Sequence, residues 1–356
     1  MHPDVPLLTI FDFFLDEGLI EAWRTLVHVC RTWRAVVFGS ARRLDLRLHC
    51  KASTPVKETL YVWPHFPIVI KAYGDELRGA DNIIAALERN DRIREMSLFD
   101  FQSSQFEKVS AAMQQPFPAL TDLALELELE DESAQVVPAS FPGGSAPRLQ
   151  ILTLYSFPFP GLPKLLLSAT HLVDLDLWNI PDAGYISPTE MVICLSVLTG
   201  LEKLELGFES PLYPPDRRIR PPPTRAFLPV LTGLRFFGVC DYLEDLVAWI
   251  DAPLMDKLAI IFFHRLMFTT PKLTEFISRT SKFEPHNEAL VVFSEQGVSV
   301  TLLQTFDGLL ELGISCTLGM AAFVSGPGLQ LVPPTRSLCR GGTPLHPREW
   351  ISGLAR

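Results

Sequence analysis

Residues 171–180 read HLVDLDLWNI. Leu172, Leu175 and Leu177 follow the order apolar-x-x-apolar-x-apolar, with Asp174 and Asp176 on either side of Leu175. Successive side chains of a strand point to opposite faces, so this alternation predicts a strand with its leucines in the core and its aspartates outside. The same pattern runs outward in both directions. It recurs as Ile93, Met96, Leu98, as Leu120, Leu123, Leu125 and as Leu149, Leu152, Leu154. Further on it recurs as Leu201, Leu204, Leu206, as Leu231, Leu234, Phe236 and as Met255, Leu258, Ile260. The middle positions are 96, 123, 152, 175, 204, 234 and 258, about 27 residues apart.

A step of about 20–29 residues with this consensus resembles the leucine-rich repeat. That resemblance implies that each strand lines the concave side of a curved stack, with a return on the convex side. Several returns contain helix-like runs: 107–114, 189–198 and 243–250. Others are rich in proline, at Pro138 and Pro142, between Pro158 and Pro163, at Pro188, and between Pro214 and Pro223. The asparagine ladder of regular repeats is missing, since Asn179 follows one strand and other residue types follow the rest. The expectation for residues 93–316 is a degenerate leucine-rich-repeat domain, an irregular solenoid with parallel strands. An ordinary layered α/β domain with coincidental leucine spacing is the alternative.

Ahead of the repeats lies a head, residues 1–48. Leu7, Leu8, Ile10, Phe11, Phe14 and Leu15 share one helical face, and Asp16, Glu17 and Gly18 end that helix. A second run places Ala22, Leu26, Val29, Cys30 and Trp33 on one stripe. Such short amphipathic helices cannot bury their faces alone and must pack on each other or on a partner. Residues 49–92 read as a connecting segment, because Pro55, Pro64 and Pro67 argue against a regular element over 54–67. Within it, DNIIAALER (81–89) reads as a helix. After Phe323, glycine and proline crowd the chain, and residues 317–356 are expected to form an irregular, disordered tail, which a premature frame change would explain.

Composition narrows the function. Of 356 residues, 47% are hydrophobic and 20% charged, which excludes bulk disorder. The net charge of −10 argues against nucleic-acid binding by global charge. No apolar run is long enough to span a membrane, and residues 1–20 lack the basic start of a signal peptide. Six cysteines without a C-x-x-C pair make neither a disulfide scaffold nor a zinc site, which fits a reducing compartment, cytoplasmic or nuclear.

No catalytic constellation is visible. There is no G-x-S-x-G, P-loop or G-x-G-x-x-G, and the eight histidines have no partners at metal spacing. The expectation is therefore no catalytic residues, no metal and no cofactor. Asp174 and Asp176 are expected on a solvated strand face. Trp178 and Trp249 are expected to be packing residues. The acidic run Glu126, Glu128, Glu130, Asp131, Glu132 reads as a solvated loop. The cluster Arg217, Arg218, Arg220, Arg225 among prolines reads as an insertion between repeats.

The head carries a second resemblance. PDVPLLTIFDFFL (3–15) followed by LVHVCRTWRAVVF (26–38) resembles an F-box. Pro3, Leu7, Leu8, Ile10, Phe11 and Leu15 match the family's first helix, and Leu26, Val29, Cys30, Arg31, Trp33 and Arg34 match its V-C-R-x-W-R end. His2 stands where the family has leucine, and Pro6 falls inside the first helix. The start is abrupt, and an upstream piece is expected. With ARRLDL (41–46) and SATHLVDL (168–175), the order resembles the mushroom-type fungal F-box proteins. The resemblance implies docking on a Skp-type adaptor, and through it a cullin, by Pro3, Leu7, Leu8, Ile10, Phe11, Leu15, Leu26, Val29, Cys30 and Trp33. It implies a substrate-recognition subunit of an SCF-type ubiquitin ligase that binds a protein substrate through its repeats. The alternative is a non-catalytic leucine-rich-repeat scaffold with a vestigial F-box. Residues between the strand leucines are the candidate substrate contacts: Asp176, Glu205 and Arg235, with Ala124, Thr153 and Ala259.

Overall fold

A computed structural model describes residues 10–11, 22–39, 46–50, 55–62, 66–73, 80–101, 103–127, 141, 143, 145–210, 224–263, 270–282, 286–294, 297–303, 311–316 and 336–345. They form an α/β architecture on a mostly parallel sheet, in two units, Met1–Ile151 and Leu152–Arg356.

The first unit opens with α1 (Ala22–Val29) and α2 (Arg31–Gly39), which pack together. Strands and helices then alternate: β1 (Leu46–His49), α3 (Val56–Val62), β2 (Ile68–Tyr73), α4 (Ala80–Leu87), β3 (Ile93–Phe101), α5 (Ser103–Ala112) and β4 (Asp122–Leu127). All four strands pair in chain order and in parallel, with Leu46 opposite Ile68, Ile70 opposite Met96 and Met96 opposite Leu123. Parallel neighbours need a crossover, and the helices supply it.

This corrects the reading of residues 49–92 as a connection. Pro55 precedes α3 instead of interrupting it, and its carbonyl accepts from Thr59 N at 2.9 Å and Thr59 Oγ1 at 2.7 Å. A proline is tolerated there because the first helical N–H groups have no intrahelical acceptor. The strand array thus begins two strands before Ile93.

The second unit continues with β5 (Ile151–Tyr155), whose first residue ends the first unit. Then follow α6 (Leu162–Ser168), β6 (Asp174–Ile180), α7 (Pro188–Leu195), β7 (Lys203–Phe208), β8 (Ala226–Phe227) and β9 (Gly233–Gly238). After these come α8 (Cys240–Val247), β10 (Ile250–Asp251), β11 (Lys257–Phe262) and α9 (Pro271–Arg279). The last strands are β12 (His286–Ser294), β13 (Gly297–Leu303), β14 (Glu311–Cys316) and β15 (Arg336–Leu345). The order is β5-β6-β7-β9-β11-β14-β13-β12-β15, with β8 and β10 in a separate parallel pair. Pairing is parallel from β6 through β14 and antiparallel from there to β15.

Strand β15 corrects the expectation of a wholly irregular tail. It pairs with β12, for instance Cys339 with Ala289, across a register irregularity near His286. An edge strand held by backbone pairing needs no periodic apolar pattern, and its glycines and proline hid it. Residues 317–335 and 346–356 lie outside the described residues.

The repeated leucines stand in register. Leu175, Leu204, Leu234 and Leu258 form one buried row, and Leu177, Leu206, Phe236 and Ile260 form the next. Burying each such side chain contributes about 1.5–3 kcal/mol. Successive helices pack on one another, α6 on α7, α7 on α8 and α8 on α9. Prolines mark helix starts. In α7, Ser187 Oγ accepts from Glu190 N at 3.3 Å while Glu190 Oε2 accepts from Ser187 N at 3.2 Å, with Pro188 next in the chain.

Two strand ends of this unit share a backbone feature. Ser156 and Asn179 each stand two residues after the second strand leucine, Leu154 and Leu177, and each has φ of 54°. In the first unit Asp100 holds the same place after Leu98, with φ of 57°. Short polar side chains tolerate this left-handed conformation best, which explains why the position is polar at all three strand ends.

Candidate functional site

Two surfaces collect the candidate residues. In the head, the V-C-R-x-W-R hexapeptide is a helix junction. Cys30 separates α1 from α2; its carbonyl accepts from Arg34 N at 3.1 Å and its Sγ from Trp33 N at 3.4 Å. Arg34 Nε donates to Val27 O at 3.0 Å, tying α2 back to the end of α1. Trp33 meets Phe11 edge to face, with ring centroids 5.0 Å apart.

That break changes which residues point outward. The expected stripe treated 22–33 as continuous, but the interior is Leu26, Val27, Val36 and Val37. Phe11 is fully buried against Trp33, and Leu26 is buried too. Ile10 and Val29 are each 53% exposed, and Cys30 is exposed. Pro3, Leu7, Leu8 and Leu15 lie outside the described residues.

In the second unit, the outward sheet face brings Asp176, Glu205 and Arg235 into one cross-strand row. Ala259 continues the row on β11, and Thr153 stands on β5. Ala124 belongs to the first unit. Arg235 Nη1 reaches Glu205 Oε2 at 3.4 Å, and Lys203 Nζ reaches Asp174 Oδ2 at 3.4 Å. Asp176 has no such cation, and its Oδ1 is buried without a hydrogen-bond donor. Partial burial, with Glu205 and Asp174 beside it, pushes the Asp176 carboxyl up to about 6, and Arg235 only partly offsets this.

Beside this row lies an aromatic one. Trp178 is half-buried on the outward face, where it packs against its neighbours on the next strands. It stacks on Phe237 at 5.7 Å and carries the Arg235 guanidinium 4.8 Å from its ring centre. Phe237 in turn meets Phe263 at 4.5 Å. Gly207 makes the stacking possible: a Cβ there would stand 2.7 Å from Trp178 Cε3. Trp178 and Phe237 each directly follow the second buried residue of their strand, the outward position of the pattern, and that spacing was the signal that could have found them.

Among the described residues, no three His, Cys, Asp or Glu side chains gather as metal ligands would. Asp174 and Asp176 share a face, as expected, but Asp174 holds Lys203, so the two are not a free carboxylate pair. Burial pushes the Cys50 and Cys194 thiols up to about 12 and Cys240 to about 11, which makes them poor nucleophiles. No described helix is long and apolar enough to cross a membrane. No family model and no curated protein matches the chain.

Proposed function

We propose that this protein is the substrate-recognition subunit of an SCF-type ubiquitin ligase, at work in the cytoplasm or nucleus. Its F-box head docks on a Skp-type adaptor and thereby on a cullin, and its degenerate leucine-rich-repeat solenoid binds a protein substrate. The chain performs no bond chemistry itself. The observation that carries the reading is the head surface: Ile10 and Val29 stand 53% exposed beside buried Phe11, Leu26 and Val27. Uncovered apolar side chains next to a filled core are what helix docking consumes. The capping of α2 by Cys30 gives the hexapeptide a structural reason. The strands of the main sheet before β12 add parallel pairing in chain order, several with helices between them, an arrangement that a stack of repeats also has.

Co-expression pull-down with a fungal Skp-type adaptor tests the reading. Wild type should be captured. An Ile10→Asp, Val29→Asp double variant should fold normally and escape capture, because docking would bury two unpaired charges. Failure of folded wild type to bind overturns the proposal. The departures at His2 and Pro6 favour the second reading, a non-catalytic repeat scaffold with a vestigial F-box, and that result would support it.

A further inference from the structure

We propose that α9 is a clasp closing the end of the helical layer: bonded to α8 at both of its own ends, it opens together with α8 as one body. The inference goes beyond the functional reading and holds whether or not the head meets an adaptor. Helices α6 to α9 pack in succession, and α9 is the last helix among the described residues. A helix at the end of a stack has no helical neighbour on its outer side, and elements so placed fray first. The sequence of α9 suits that place. Leu273, Phe276 and Ile277 form one buried stripe at helical spacing, while Lys272 and Glu275 are exposed.

The bonds between the two helices run in opposite directions. Glu244, on α8, is buried, and its two oxygens accept from Lys272 N at 2.9 Å and Leu273 N at 2.8 Å, at the start of α9. Arg279, the last residue of α9, returns the contact. Its Nη2 donates to Val247 O at 3.2 Å, at the end of α8, and to Ile250 O at 3.3 Å on β10. Asp251 faces the same guanidinium at 3.5 Å, and Lys272 Nζ reaches Asp245 Oδ1 at 2.6 Å. The orphan N–H groups of one helix and the orphan carbonyls of the other are thus satisfied by charged side chains from across the pair. Unwinding α9 from its start would strand the Glu244 carboxylate in the interior. Unwinding it from its end would open the last turn of α8.

Hydrogen exchange of the full chain, read by mass spectrometry in a urea series, tests this. In wild type, peptides covering α8 and α9 should merge onto one opening isotherm; separate isotherms for the two helices overturn the proposal. Glu244→Gln touches only the start of α9, and Arg279→Met only the end of α8 and β10. Each should nevertheless speed exchange at least about tenfold across both helices, with a smaller change in α6. Loosening confined to the end that each variant touches, or an equal rise in every peptide of the chain, overturns it. Should either variant fail to fold, the wild-type isotherms decide.

Discussion

Asn179 Nδ2 donates to Ser156 Oγ at 2.7 Å, and both residues hold φ of 54° at the same point of two successive strands. Ser156 N also donates to Trp178 O at 3.0 Å. The pair ties the end of β5 to the end of β6 through one side-chain bond and one backbone bond. Replacing Asn179 by Ala removes the bond and leaves a β-carbon in the left-handed region without the polar side chain that tolerates it, with an expected loss of about 1–2 kcal/mol. Asn179→Gly removes the bond but also the β-carbon's steric strain, and should lose less. Urea unfolding of the two variants checks the order; an equal loss would remove the backbone argument.

Gly207→Ala should destabilise by about 1–3 kcal/mol, because the new methyl displaces the Trp178 ring from Phe237. In a Trp178→Ala background the same change should be nearly neutral. A double-mutant cycle reads the coupling directly, and additive losses would show that the clash lies elsewhere.

Much of the body was legible because buried leucines repeat at a spacing only strands satisfy. Strands β6, β7, β9 and β11 stand where that spacing puts them. Strands β1 and β2 were not legible. Ile68, Val69 and Ile70 are all buried, so no alternation survives, and prolines flank them. In the head, the hexapeptide was legible as a motif, yet the break at Cys30 decides which side chains point outward, and that is a property of backbone geometry. The row of Asp176, Glu205 and Arg235 followed from strand pattern alone. The role of Trp178 did not, since a glycine in the next repeat determines whether the indole can lie flat.

Glu244 supplies a carboxylate to the start of the following helix. Its two oxygens accept from Lys272 N at 2.9 Å and Leu273 N at 2.8 Å, satisfying donors that α9 leaves open. Glu244→Ala should lose about 2–3 kcal/mol, and Glu244→Gln about half of that. Asp245→Ala next to it should lose less than about 1 kcal/mol, because its pair with Lys272 is close to half exposed on both sides. Thermal unfolding of the three variants checks the ranking.

Asp176 should make the protein less stable as pH rises. Its carboxyl sits at about 6 in the fold against an ordinary 3.8. Between those values the folded state holds a proton that the unfolded state releases, so stability falls from about pH 4 to about pH 6 and stays lower above it. Glu205 and Asp174 oppose the charged form, and Arg235 favours it. Asp176→Asn should therefore be more stable than wild type at pH 7, by on the order of 1 kcal/mol once solvent screening is allowed for, and should match it at pH 4. An equal difference at both pH values would contradict the assignment.

Trp178 lies on a glycine of the next strand and stacks on a phenylalanine of the strand after that. An insertion or deletion between β6 and β9 would slide these strands past one another and set a new neighbour under the indole. Any side chain at the Gly207 position would displace the ring. The three strands are therefore tied together in length as well as in register.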